Sequence, residues 1–233
     1  MILLVADEHD TQARWLAELW EHHDARLLTP ADLSRPGWSF RPGSSSEWTG
    51  VASGMGLDHD TPLAGILNCL AEVSEAQLPH IHPEERSYVA NEMTAFLLSW
   101  QCELTCPVLN RPTPNCLIGL NLSAEGWTQM AAGLGLPVRT TARASHGPSR
   151  NKAHDAHRDA RSVTVIGDCA LGEDSELQFC ARSLAQTARV DLATFYFTRA
   201  SEPEFIGASL RPELSHPEAV EALLHCFQGP RPC

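Results

Sequence analysis

Apolar residues recur along this chain in two alternating periods, and their order predicts an α/β protein. Ile2 to Val5 form a short apolar run that ends at Ala6-Asp7. Ala13, Leu16, Ala17 and Trp20 then return at helical spacing behind Asp10, a good N-cap residue. A second strand follows the His22-His23-Asp24 turn, at Arg26 to Leu28. Strand, helix, strand is how an open and mostly parallel sheet begins. Between Pro36 and Gly56 the pattern weakens to Gly, Ser and Trp. The apolar bulk of Trp38, Phe40, Trp48 and Val51 predicts short strands there rather than a disordered stretch. Leu63 to Leu70 reads as a buried strand.

The clearest helix spans about Glu84 to Trp100, with Pro83 suited to its first turn and acidic residues matching the positive end of its dipole. Its stripe is Val89, Met93, Phe96, Leu97 and Trp100. Cys106 to Asn110 reads as a strand entering a turn at Arg111-Pro112. A helix capped by Ser123 carries Trp127, Met130, Ala131 and Leu134, and stops at Gly135. Residues 139–161 have no apolar face and concentrate Arg, His, Ser and Ala, so they are expected to form a polar linker. Beyond it the pattern predicts a strand at Val163 to Ile166, a turn at Gly167-Asp168, and a helix through Leu177, Ala181, Leu184 and Ala188. A strand at Val190 to Phe197 and a helix from about Pro217 close the chain. The expected domains are therefore 1–138, the linker 139–161, and 162–233.

Composition narrows the function. At 233 residues, 43% hydrophobic and 20% charged, the chain can bury one substantial core or two small lobes. No apolar run reaches the ~20 residues of a membrane span. The opening MILLVADEHD lacks a basic n-region, so a cytoplasmic protein is expected. A net charge of −12 argues against nucleic acid and anionic membranes, and suits a basic partner. Eight cysteines without a secretory signal read as free thiols. Cys69, Cys169, Cys180 and Cys226, set among apolar residues, are expected to be buried. There is one lysine, Lys152.

Few constellations carry chemistry. His80-Ile81-His82 has strand-like spacing for a metal pair, and His154/His157 has helical spacing, but neither has an evident third ligand. Gly54-Met55-Gly56 and Gly167–Gly172 match no phosphate-binding fingerprint and read as turns. Asp7 ends the first strand, where an acid faces a cleft. Arg111, beside a rigid turn, offers a planar donor to a carboxylate or phosphate, or else closes the turn itself.

Taken together, the opening strand, Gly65-Ile-Leu, Arg86-Ser-Tyr88-Val-Ala-Asn-Glu92 with its helix to Trp100, and Pro107-Val-Leu-Asn110-Arg111-Pro112 resemble the N-terminal lobe of ATP-grasp proteins of the peptide and natural-product modification type. Ser162 to Gly167, Cys180 to Ala185, Val190-Asp191-Leu192 and Phe195-Tyr-Phe197 are similar to the closing part of that family's core. The resemblance implies a pre-ATP-grasp-like lobe joined to a remnant of the core. Complete members carry about 100 or more further residues with the nucleotide lid, a length typical of a domain. They hold ATP phosphates through lid lysines and magnesium through acids that include a Glu-x-Asn. Here Lys152 in the linker is the sole lysine, and Glu204-Phe205-Ile206 stands where the Glu-x-Asn is expected.

The resemblance implies a degenerate accessory or substrate-binding protein with no cofactor, presenting a peptide or small carboxylate to a partner biosynthetic enzyme from the cleft between its lobes. Asp7 and Arg111 are its expected substrate contacts, and a homo-oligomer is compatible with it. The alternative is a compact ATP-dependent carboxylate–amine ligase. Asp191 and Glu204 would then hold Mg²⁺, and Lys152 the phosphates. A metal-dependent protein using the histidine pairs comes third.

Overall fold

In a computed structural model, residues 1–43, 47–139, 160–212, 214 and 216–228 are described. They form two compact units, one of Met1–Leu120 with Leu224–Cys233, the other of Asn121–Leu223.

The first unit is built on four parallel strands: β1 (Ile2–Val5), β2 (Ala25–Leu28), β6 (Gly65–Asn68) and β7 (Val108–Leu109), in the order β2-β1-β6-β7. Every residue of β1 and β6 is buried. That is the expected signature of a parallel sheet covered on both faces. Leu3 and Val5 join Ile66, Leu97, Trp100 and Val108 in one core cluster. Ile2 and Leu4 take the opposite face, as the strand pleat requires.

Helix α1 (Thr11–Leu19) starts at Asp10, whose side chain accepts from the amides of Gln12 and Ala13. Helix α2 (Pro30–Leu33) is a single turn whose capping box joins Thr29 and Asp32. The stretch rich in Gly and Trp forms an antiparallel meander of β3 (Ser39–Arg41), β4 (Glu47–Ala52) and β5 (Met55–Asp58). Ser53 and Gly54 form its hairpin turn at φ 48° and 76°, both left-handed, as a type I′ turn demands. Trp38 lies directly over Gly50, where an added Cβ would meet its ring at 2.5 Å.

Helix α3 (Arg86–Glu103) begins two residues later than the pattern suggests and runs three further. His82 and Glu85 form a turn ahead of it, closed by the Glu85 amide on the His82 carbonyl at 2.9 Å. Leu97 and Trp100 are buried on its inner face, and Val89, Met93 and Phe96 pack beside them. Gln101 is also fully buried there, and it exchanges two hydrogen bonds with Asn68 of β6, at 2.7 and 3.0 Å. Each amide supplies the donor that the other's carbonyl needs, so the pair enters the core satisfied.

The second unit holds α4 (Ala124–Gly133), α5 (Ser175–Ala188) and an antiparallel sheet. Its strands are β8 (Arg161–Ile166), β9 (Cys169–Leu171), β10 (Leu192–Phe197) and β11 (Phe205–Ser209), in the order β11-β10-β8-β9. Ser123 caps α4 and Asp174 caps α5. Gly167, at φ 57°, opens the tight β8–β9 hairpin. The last helix, α6 (Pro217–Gln228), ends within the first unit, where Phe227 and Trp20 of that unit meet edge-on.

Two expectations change. The division falls at Leu120/Asn121 rather than at 138, because Trp127 of α4 packs edge-on against Phe195 of β10, and the chain at 137–139 runs beside β11. There the Phe205 amide donates to the Pro137 carbonyl at 2.7 Å, and the Arg139 amide to the Phe205 carbonyl at 2.9 Å. Cys69 is buried, but Cys169 is exposed at the rim of the β8–β9 hairpin, and Cys180 and Cys226 are half-buried. A cysteine on a three-residue edge strand is covered only on the side that meets the sheet.

Candidate functional site

In an open parallel sheet, ligands gather beyond the carboxyl ends of the strands, where the strand order reverses. Here β1 lies between β2 and β6, and Asp7 stands two residues past its end. Its carboxylate accepts from the His9 amide at 2.8 Å and from Gln77 Nε2 at 2.7 Å. With Glu8, Thr29, Pro30 and Gln77 it lines a cavity of about 80 Å³. That volume suits a terminal group rather than a whole small molecule.

Arg111 lies elsewhere. Its guanidinium donates to the carbonyls of Gln101 (3.0 Å), Cys102 (3.4 Å) and Leu104 (3.4 Å). These sit at the C-terminal end of α3, where carbonyls lack intrahelical donors. Asn110, buried and left-handed at φ 51°, turns the chain so that Arg111 reaches them. Arg111 therefore closes the C-terminal end of α3.

The second unit offers a sheet face. Thr194 pairs in register with Thr164 on one side and Ser209 on the other, so three hydroxyls form a row across β8, β10 and β11. The Thr164 and Thr194 hydroxyls are 2.8 Å apart, and Thr194 is buried. Ser162, Tyr196 and Gly207 form the neighbouring row of the same face. The opposite face presents Val163, Val165, Phe195 and Phe197, all buried.

Asp191 and Glu204, the expected metal ligands, are at opposite ends of β10. The Asp191 carbonyl accepts from Gly167 beside the start of β10, whereas Glu204 exchanges hydrogen bonds with Thr198 just past its end. The six residues of β10 between them span roughly 20 Å at ~3.4 Å each, so one Mg²⁺ cannot hold both. Neither β10 (LATFYF) nor β11 (FIGAS) carries a carboxylate.

His80 and His82 are on a turn, not a strand, and both are exposed. His80 Nε2 meets Ser34 Oγ at 2.8 Å, and Arg86 ties the turn down through the Pro79 and Ile81 carbonyls. No group of three or more metal-ready side chains occurs among the described residues. Lys152, His154 and His157 lie outside the described residues.

Comparison with known proteins sets this geometry in context. No protein-family model matches the chain, and no curated protein does. Solved structures do match. The Chryseobacterium gregarium RiPP-associated ATP-grasp ligase, in complex with ADP and a leader and core peptide, aligns with a TM-score of 0.68 and 10% identity, over 99% of this chain and 97% of that one. The chain has an ATP-grasp fold.

Two further structures share that fold. Macrocyclase MdnC from Microcystis aeruginosa MRC, bound with precursor peptide MdnA, aligns with a TM-score of 0.70 and 9% identity, over 98% and 99% of the two chains. The ATP-grasp ligase PsnB, complexed with minimal precursor, Mg and ADP, gives 0.62 and 10%, over 98% of both. The mixed α/β architecture implied by the sequence resemblance is thus present.

Within the ATP-grasp fold, the row of hydroxyls is the feature that the sequence patterns above leave out. It was legible in the period-two alternation of Ser162-Val163-Thr164-Val165 and Leu192-Ala193-Thr194-Phe195-Tyr196. β11 was missed because Phe205 to Ser209 holds three small residues and no β-branched run beyond Ile206. Its partner β10 supplies the pairing that its own composition does not.

Among the described residues, no helix is long and apolar enough to cross a membrane.

Proposed function

We propose that this chain is an accessory or substrate-binding protein of a peptide or natural-product biosynthetic pathway, working beside a partner enzyme and having no ligase activity of its own. One observation carries the reading: β10 and β11 present hydroxyls and no carboxylate, while Asp191 and Glu204 stand at opposite ends of β10. Mg²⁺ demands closely placed oxygen ligands in near-octahedral geometry, and neutral Thr and Ser are poor substitutes for anionic oxygens. The described residues of β10 and β11 do not fit that ion, so no catalytic step is derived through it. Phosphoryl transfer rests almost wholly on electrostatic positioning, and the chain has one lysine for that purpose.

The peptide part of the reading draws on the neighbours, whose structures hold leader, core or precursor peptides. The exposed Ser162 and half-buried Tyr196 supply polar groups on the face of β8 and β10, and Asp7 with Gln77 supplies a polar pair at the sheet edge. Arg111 is not assigned to the substrate.

A second reading, a compact ATP-dependent carboxylate–amine ligase with Lys152 on the phosphates, is favoured by the reach of the likeness. It extends over 97% and 98% of two chains solved with ADP and with Mg and ADP.

Thermal unfolding with and without millimolar ATP and Mg²⁺ separates the two, because a ligand that binds only the native state raises the midpoint. The accessory reading expects no shift with nucleotide and no ADP release when a candidate peptide is added. ADP formed in proportion to ligated peptide would overturn it.

A further inference from the structure

We draw no further inference here: the strongest candidate, the Ser34–His80 side-chain pair where α2 meets the turn after Pro79, sets a hydroxyl 2.8 Å from an imidazole nitrogen but carries no nucleophile, because the one Ser34 hydroxyl proton is donated to the Pro30 carbonyl at 3.0 Å and His80 is left as the donor to its oxygen.

Discussion

The two units bury their sheets differently. In the first, β1 and β6 are buried at every position, so both faces are spent on the core and only the strand ends and flanking loops are left for ligands. In the second, β8 is only partly buried and β10 is buried at five of its six positions, yet one face carries a row of hydroxyls. A parallel sheet covered on both sides pushes chemistry to its edges, whereas an antiparallel sheet with helices on one side can display it across a face. That difference explains why single residues such as Asp7 stand out in the first unit. In the second unit the candidate surface is a row of unremarkable Thr and Ser.

The largest expected break in this comparison is Trp100→Ala. Trp100 is fully buried and touches Trp38, Trp48 and Phe96. Removing it should cost about 3–5 kcal/mol in chemical denaturation, as for other core aromatics. Its indole N–H has no hydrogen-bond partner among the described residues, so almost none of that loss is polar in origin. A loss below about 1 kcal/mol would mean that the first unit is not a tightly packed core.

Next come two double-mutant cycles. Asn68→Leu or Gln101→Leu alone leaves a buried amide unpaired, which should cost about 1–3 kcal/mol, and the double variant should cost clearly less than the sum. Thr194→Val, on the sheet face of the second unit, removes a neutral hydroxyl bond and should cost only about 1 kcal/mol. If the Thr164/Thr194 coupling equals that of the amide pair, the proposed contrast between core and face fails.

These variants also show what was legible in the sequence. The parallel strands, the caps at Asp10 and Ser123, and the α3 stripe follow from apolar spacing and local capping, which act over a few residues. Gln101 was invisible because its partner Asn68 is 33 positions away, and only the fold makes a buried amide tolerable. Arg111 was legible as a turn residue, but not its contacts, because the carbonyls it meets are set by where α3 ends. The separation of Asp191 and Glu204 was illegible for a similar reason: it depends on strand direction, which composition does not reveal.

The smallest effect concerns thiols. Burial, reinforced by Glu176 and Asp174, raises the Cys180 pKa above the ordinary thiol value. Thiolate is the reactive form, so Cys180 should be alkylated more slowly than exposed Cys169, and its rate should keep rising at higher pH. Mass spectrometry of partially alkylated protein reads the order. Equal rates at Cys169 and Cys180 near neutral pH would place both at the surface.

Phe227 has a consequence for biosynthesis. It sits where a Cβ on Gly65 would come within 2.2 Å of its ring, and it meets Trp20 edge-on at 6.3 Å. The first strands thus wait for a residue translated about 100 positions after the rest of their unit, a delay of roughly 5–20 s at ~5–20 residues per second. Of the two units, the one that starts earlier in the chain is completed later, with its apolar strands in need of shelter until α6 emerges.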